Sequence, residues 1–289
     1  MTTQSTIHVA VLGSTGAQGA AIATALDSAG VATRRISRSG SDSWAADFRD
    51  TGSLTTALAG IDVAVFTLPL DYSTAADRFA HNVADAAAAA GVRRIVFNTN
   101  IRIPDEITDA PGFETRRAAR AVLEAGTVPV TIVEPAVYLD NLLAPGVLTP
   151  SPAGYVLRYP IPNGLPVSWL ASADLGRTVV AACQHGEGGE VLRPGLPSST
   201  PADLAGEIGD AIGAAVRFES LDPAHFESGL AQVVGPAVAA GVASIYRWLN
   251  DNPASTVMAA PTEQPDWMPV PTTVSAWAAE FLQSAESRA

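Results

Sequence analysis

Residues 7–12, Ile-His-Val-Ala-Val-Leu, form a short apolar run of β type that stops at Gly13, and residues 17–29 follow as an alanine-rich helical stretch closed by Gly30. The same alternation then repeats. Residues 32–37 read as a strand, 53–59 as a short helix, 63–67 as a strand, 74–90 as a helix, 94–98 as a strand, 114–125 as a helix and 128–133 as a strand. Strands that are nearly all apolar, regularly interleaved with helices, predict a parallel sheet covered on both faces: an α/β chain of the Rossmann type, doubly wound.

Beyond Pro135 the pattern loosens, and prolines crowd in at 145, 150, 152, 160, 162 and 166. Residues 172–184 restore a helix, 201–214 give another leading into a candidate strand at 216–219, and helices over 231–249 and 273–284 flank a proline-rich loop at 253–271. The predicted organisation is a first unit over 1–135, with 166–195 returning to it. Residues 136–165 and 196–289 form a smaller, mostly helical region beside the sheet, from which one strand pair is a candidate to rejoin it.

Composition removes whole chemistries. All 17 basic residues are arginine, and the chain has no lysine. A Walker phosphate loop, a pyridoxal-phosphate Schiff base and an imine-forming aldolase each need a lysine amine and cannot be built here. The net charge of −12 is unevenly spread: residues 1–135 hold 11 arginines against 14 acids, residues 136–289 hold 6 against 15. Such a surface repels phosphate backbones, so no nucleic-acid partner is expected. A single cysteine, Cys183, excludes an internal disulfide and points to a reducing cytoplasm; on its alanine- and valine-rich helix it reads as a small buried hydrophobe. The opening apolar run is too short for a secretory leader, and the apolar segment 233–249 is broken by Gly235, Pro236, Gly241 and Arg247, so no membrane contact is expected. The four histidines are scattered and no metal site is expected. Asp77, His81 and Asp85 share a helix face that reads as solvated, and no Gly-x-Ser-x-Gly elbow occurs.

The chemically richest segment is Gly13-Ser14-Thr15-Gly16-Ala17-Gln18-Gly19. It sits directly after the first strand and before the first helix, where a tight glycine turn lets the backbone approach a pyrophosphate and offers it helix N-terminal amides. The second strand then discriminates between cofactors. An acid at its end would bind the ribose 2′-hydroxyl of NAD, whereas this strand ends on Arg38, with Ser37, Ser39 and Ser41 around it and no acid before Asp42. Arginine there suits the 2′-phosphate, so NADP(H) is the expected cofactor. Arg34 reads as a solvated edge charge.

With these features the chain resembles the atypical short-chain dehydrogenases/reductases of the NmrA-like family, which includes NADPH-dependent quinone reductases and isoflavone-reductase-like enzymes. The likeness is carried further by Ala46-Asp-Phe-Arg-Asp50 with Ser53-Leu-Thr-Thr-Ala-Leu-Ala-Gly-Ile-Asp62, by Ala90-Gly-Val-Arg-Arg-Ile-Val96, and by Val130-Thr-Ile-Val-Glu-Pro135 with Tyr138 and Asn141 beyond. Ala173-Asp-Leu-Gly-Arg177 and Ser199-Thr-Pro-Ala-Asp-Leu-Ala205 extend it over nearly the whole chain. The resemblance implies that the adenine end meets Asp47 and Phe48. It also implies that the strand ends Thr67-Leu68-Pro69 and Asn98-Thr99-Asn100 flank the ribose and nicotinamide.

The Tyr-x-x-x-Lys proton relay of most short-chain dehydrogenases is impossible here. Where many family members keep a lysine, the chain offers Arg116 and Arg117, which hold an anion or an oxygen but do not shuttle protons. The family's usual Arg-Pro at the end of the sixth strand is Glu134-Pro135, which would set an acid near the nicotinamide ring. Two readings stand open. One is an NADPH-dependent oxidoreductase passing hydride to a conjugated carbonyl, quinone or imine, with Tyr138 as hydrogen-bond donor, Arg117 or Arg116 as oxyanion holder and Asn100 orienting. The other is an NADP(H)-sensing regulator without turnover, acting through a protein partner. A small-molecule substrate is expected under the first, and a homodimer is left open under both.

Overall fold

A computed structural model describes residues 7–40, 43–73, 75–261 and 263–282; Ser41, Asp42 and residues 74 and 283–284, named above in the predicted loop and helices, lie outside them. The first half of the chain runs β1 (His8–Leu12), α1 (Ala17–Ser28), β2 (Ala32–Ser37), β3 (Trp44–Ala45), α2 (Thr51–Leu58), β4 (Val63–Thr67), α3 (Ala75–Ala90), β5 (Arg94–Asn98), α4 (Pro111–Glu124) and β6 (Val130–Val133). These strands, joined by β11 (Val191–Leu192), make a seven-stranded parallel sheet in the order β11-β6-β5-β4-β1-β2-β3. The order in which the chain lays down its strands reverses between β1 and β4, which opens a crevice at the carboxyl ends of those two parallel strands.

Both faces of the sheet are apolar for a simple reason of alternation. Ala10 and Leu12 of β1 pack with α2 and α3 side chains such as Leu54, Leu58 and Phe79, whereas Val9 and Val11 pack on the other side with Ile22 and Leu26 of α1. Helix α5 (Ser172–His185) lies against α1 on that second face; Gly176 sits where a Cβ would run into the α1 backbone. Asp50 caps α2 by accepting from the amides of Gly52 and Ser53.

The remaining chain forms β7 (Val137–Tyr138), a 3-10 turn (Leu139–Leu143), β8 (Leu148–Ser151), β9 (Gly154–Tyr159), β10 (Trp169–Leu170), α6 (Pro201–Ile212), β12 (Val216–Ser220), α7 (Pro223–Val234), α8 (Pro236–Asp251) and α9 (Val274–Phe281). β10 pairs with β7, and β8, β9 and β12 make a second, three-stranded sheet. The candidate strand at 216–219 is therefore real but joins β9 rather than the main sheet; the short β11 is the segment that returns. The helix expected over 231–249 is two helices, because Gly235 turns to φ +83° and Pro236 opens α8 at its first turn. A second core, built on Trp169, Trp277, Phe113 and Leu204, welds these elements to the α4 end of the sheet. No helix among the described residues is long and apolar enough to cross a membrane.

Candidate functional site

A cleft of about 500 Å³ opens over the crevice at the ends of β1 and β4. Its floor is the glycine turn. Gly13 takes φ +76°, and the amides of Gly13 and Ser14 both donate to the Ile36 carbonyl, fixing the turn against β2. Gly19 lies so close that a Cβ would run into the Gly13 carbonyl oxygen, which explains the glycine. Gly16 caps α1 without any side-chain hydrogen bond, so the first amides of that helix remain available to an anion in the cleft.

Most of the sequence candidates meet here. Gly13, Thr15, Gly16, Ala17, Gln18, Gly19, Arg38, Asp47, Phe48, Thr67, Leu68, Pro69 and Asn100 all line the cleft. Ser14 does not: it is buried beneath the turn with its hydroxyl on the Ile36 carbonyl. Ser37 rather than Ser39 faces the cavity. Phe48 is set by stacking against Phe66 and Phe79 and by Asn82, whose amide donates to its carbonyl. Arg34 is no solvated edge charge. It donates twice to the carbonyls of Ala57 and Ala59 at the end of α2 and stacks on Trp44, while exposed Arg38 is left to the cleft.

Asn98 and Thr99 are fully buried behind the wall. Thr99 is tied by its hydroxyl to the carbonyls of Ile101 and Val133, and Asn98 donates to the Gln18 side chain at 2.6 Å. Asn98 thus orients Gln18 rather than lining the cleft. Asn100 adopts φ +70°, the left-handed conformation that asparagine tolerates, and donates from its side chain to the Leu68 carbonyl at 2.7 Å, clamping the ends of β4 and β5 together.

Beyond Asn100 a second, mostly apolar chamber of about 260 Å³ lies between the sheet and α7–α8. Gln18, Leu70 and Asn100 line both spaces, so the cleft and the chamber meet there. The chamber holds Tyr138 and Arg116. The Tyr138 hydroxyl is buried with no partner in good hydrogen-bonding geometry; burial pushes its phenol well up against a weaker opposing influence of the Asn98 side chain, so it stays protonated and keeps a proton to donate. Arg116 is 1% exposed and stacks on Tyr72. Burial draws its guanidinium down from the ordinary arginine value.

Two candidates fall elsewhere. Arg117 lines neither space; it is bound to Glu114 at 3.0 Å and to the carbonyls of Pro104 and Glu106. Glu134 does not approach the cleft either. It is fully buried between Arg120 at 2.8 Å and Arg193 at 2.9 Å, on the α4 side of the sheet. Cys183 is buried and its thiol is pushed up to about 12 by burial, which makes it an inert core residue.

The sequence reading missed Tyr159, Phe226 and Tyr246, and with them Val238 and Val242 of the chamber wall. Tyr159 and Tyr246 share a hydrogen bond of 2.7 Å, and Asn141 donates to Tyr159. One signal was available: Val238, Val242 and Tyr246 recur at every fourth position, the stripe of one face of α8.

Comparison with known proteins adds the following. The NmrA-like family model matches residues 5–278. A reductase of Streptomyces griseus subsp. griseus named for (4-alkanoyl-5-oxo-2,5-dihydrofuran-3-yl)methyl phosphate is 33% identical over 229 residues, covering 74% of this chain and 77% of that protein. Among solved structures, the negative transcriptional regulator NmrA bound to NAD superposes with a TM-score of 0.79 at 15% identity, covering 99% of this chain and 98% of that one. The triphenylmethane reductase of Citrobacter sp. with NADP(H) gives 0.75 at 18%, covering 95% and 99%. The NADPH-dependent quinone oxidoreductase of Escherichia coli with NADPH gives 0.70 at 18%, again covering 95% and 99%. At such identities the structures share the fold.

Proposed function

The chain belongs to the NmrA-like family, and on that premise we propose that it binds NADP(H) and reduces an electron-poor double bond of a small molecule: a conjugated carbonyl, a quinone or an imine. The observation that carries this reading is the junction of the two spaces. A groove ending in uncapped helix amides and Arg38 suits a phosphorylated dinucleotide, and it meets a largely apolar chamber at Gln18, Leu70 and Asn100. Some of the similar proteins support the same reading, since the Streptomyces relative is named as a reductase and two structural neighbours are named as a reductase and an oxidoreductase; the neighbour NmrA, named as a transcriptional regulator, is what keeps the regulatory reading as the alternative.

In this reading the amides of the Gly13–Gly19 turn hold the pyrophosphate, Arg38 the 2′-phosphate, and Asp47 and Phe48 the adenosine end. Thr67, Leu68 and Pro69 border the nicotinamide end, with Asn98 and Thr99 setting the wall behind. The bound reduced nicotinamide supplies hydride to the acceptor. The chain's own side chains then deal with the electron density that moves onto the acceptor's oxygen or nitrogen. Tyr138 donates a hydrogen bond to it, Arg116 adds positive charge in a space of low dielectric, and Asn100 orients the acceptor at the junction. None of these three side chains is an acid at neutral pH and no lysine is present, so water returns the proton. Residues 136–165 and 196–289 would form the substrate-binding region.

The test is a fluorescence titration with NADPH followed by NADPH consumption against a quinone, a butenolide and a cyclic imine. Saturable binding and consumption with at least one class are expected. Binding without consumption across the panel would transfer the protein to the regulatory reading, and absence of binding would end both.

A further inference from the structure

Arg116 is the only charged side chain among the described residues lining the chamber, and it is unlike the other sequestered arginines. Arg94 donates to the carbonyls of Ala182 and Cys183, Arg102 to that of Ala259, and Arg120 and Arg193 enclose Glu134. Among the described residues Arg116 has no carbonyl or carboxylate acceptor. Its Nη1 donates to the Thr115 hydroxyl at 2.8 Å, its guanidinium lies over the Tyr72 ring with Cζ 4.2 Å from the centroid, and its Nε and Nη2 are buried with no acceptor in hydrogen-bonding geometry. Tyr72 is the polar group that acts on its charge most, through its hydroxyl, and Asp71 acts least, through space. A buried cation without an acceptor is costly, and a site that keeps one is matched by an anion that arrives from outside.

The identity of the two free nitrogens narrows the anion. The Nε hydrogen and one Nη2 hydrogen point in parallel from the same edge of a guanidinium, at the spacing of two oxygens of a carboxylate or phosphate. A lone carbonyl or enolate oxygen would leave one of the two bare. Stacking on Tyr72 holds the plane of the guanidinium, and Tyr72 fits there only because position 241 is glycine, where a Cβ would run into the ring. We propose that the chamber selects an amphiphilic acceptor, one that carries a carboxylate or phosphate seated side-on against Nε and Nη2 of Arg116 and an apolar chain against Val238, Val242 and Ile245. The proposal rests on the chamber being the acceptor site of the reductase reading.

Calorimetric titration of the protein saturated with NADP+ tests it without turnover, using octanoate and octyl phosphate against methyl octanoate and octanol. At least one of the acids is expected to bind 30-fold or more tighter than either neutral probe, and the better of the two acids names the anion. Arg116→Met should bring the acid down to the neutral probes, and Arg116→Lys, which keeps a charge without the fork, should restore only part of the difference. Retained NADP+ affinity reports that each variant is folded. Equal binding of acids and neutral probes by the unaltered protein, or undiminished acid binding by Arg116→Met or Arg116→Lys, would overturn the proposal. Its fate is separable from that of the reductase reading: acid preference with no NADPH consumption sinks catalysis alone, and consumption of neutral acceptors with no acid preference sinks the anion seat alone.

Discussion

Arg38 stands exposed at the mouth of the cleft, just past the last residue of β2, and no acid of the described chain is paired with it. Under the proposed function this guanidinium makes a charge-assisted contact with a phosphate on the adenosine ribose, an interaction of about 1.5–3 kcal/mol. Arg38→Asp is therefore expected to weaken NADPH by roughly 10- to 100-fold while changing NADH little, measured by paired fluorescence titrations. Equal losses for both would remove Arg38 from the cofactor site. Residues of this kind were legible in the sequence because they sit on loops directly following strands, where position along the chain and position in space coincide. Arg116 and Arg117 were not separable by that logic. On a helix adjacent residues face about 100° apart, and only the phase set by buried Gly112, Phe113, Ala119 and Leu123 puts Arg116 on the inward side. Glu134 failed for a similar reason. Strand alternation carries it to the face of Val130 and Ile132, where Arg120 of α4 and Arg193 after β11 enclose it.

At the scale of elements, the β-α alternation through residue 133 was readable because each strand is apolar enough to need cover on both faces. What escaped was the three-stranded sheet. Its first strand, β8, contains Pro150 and has no buried residue, and the pairing of β9 with β12 joins segments some sixty residues apart, so no local pattern announces that pairing. The edge strand β11 is also too short to read, and it is held both by burial of Leu192 and by hydrogen bonds beside it. Glu190, just before it, accepts from the amides of Glu187 and Gly188 and from the Thr131 hydroxyl of β6 at 2.8 Å. Burial pushes this carboxyl upward, but those hydrogen bonds outweigh it and hold it below its ordinary value of 4.5. A carboxylate lowered in the fold stabilises the protein above its ordinary value, and that contribution is lost as the pH falls through 4.5 toward the folded value. Glu190→Gln should therefore cost about 1 kcal/mol at pH 7, a partly exposed group being discounted for solvent screening. Denaturant unfolding of the two proteins should converge as the pH is lowered progressively below 4.5; a gap of constant size would show that the carboxylate charge is not what anchors β11.

Taken whole, the molecule is a sheet that carries the dinucleotide groove and a cap whose inner surface closes the chamber, and the two are not equally firm. α8 buries Ala239, Gly241, Ala243, Ile245, Tyr246, Trp248 and Leu249, whereas α7 has no buried residue and leaves Val233 80% exposed. α7 is joined to α8 through the Gly235 elbow and an ion pair between Glu227 and Arg247, and its Phe226, Leu230 and Val234 form part of the chamber wall. Although Phe226 packs edge-on against Tyr159 and Tyr246, a helix with no fully buried residue opens at lower free-energy cost than α8. Amide hydrogen exchange should accordingly be faster through residues 223–234 than through 236–251. The ligands should then act on different parts. NADPH alone touches the groove and should slow exchange at the Gly13–Gly19 turn and around residues 67–71, leaving α7 nearly as before. Adding an octyl acid fills the chamber against Phe226 and Leu230 and should slow α7 by about tenfold or more, since a ligand at 100 times its dissociation constant stabilises the form that binds it by about 2.7 kcal/mol. Protection of α7 by NADPH alone, with none added by the acid, would mean that the chamber is not where the acceptor enters and that α7 answers to the cofactor.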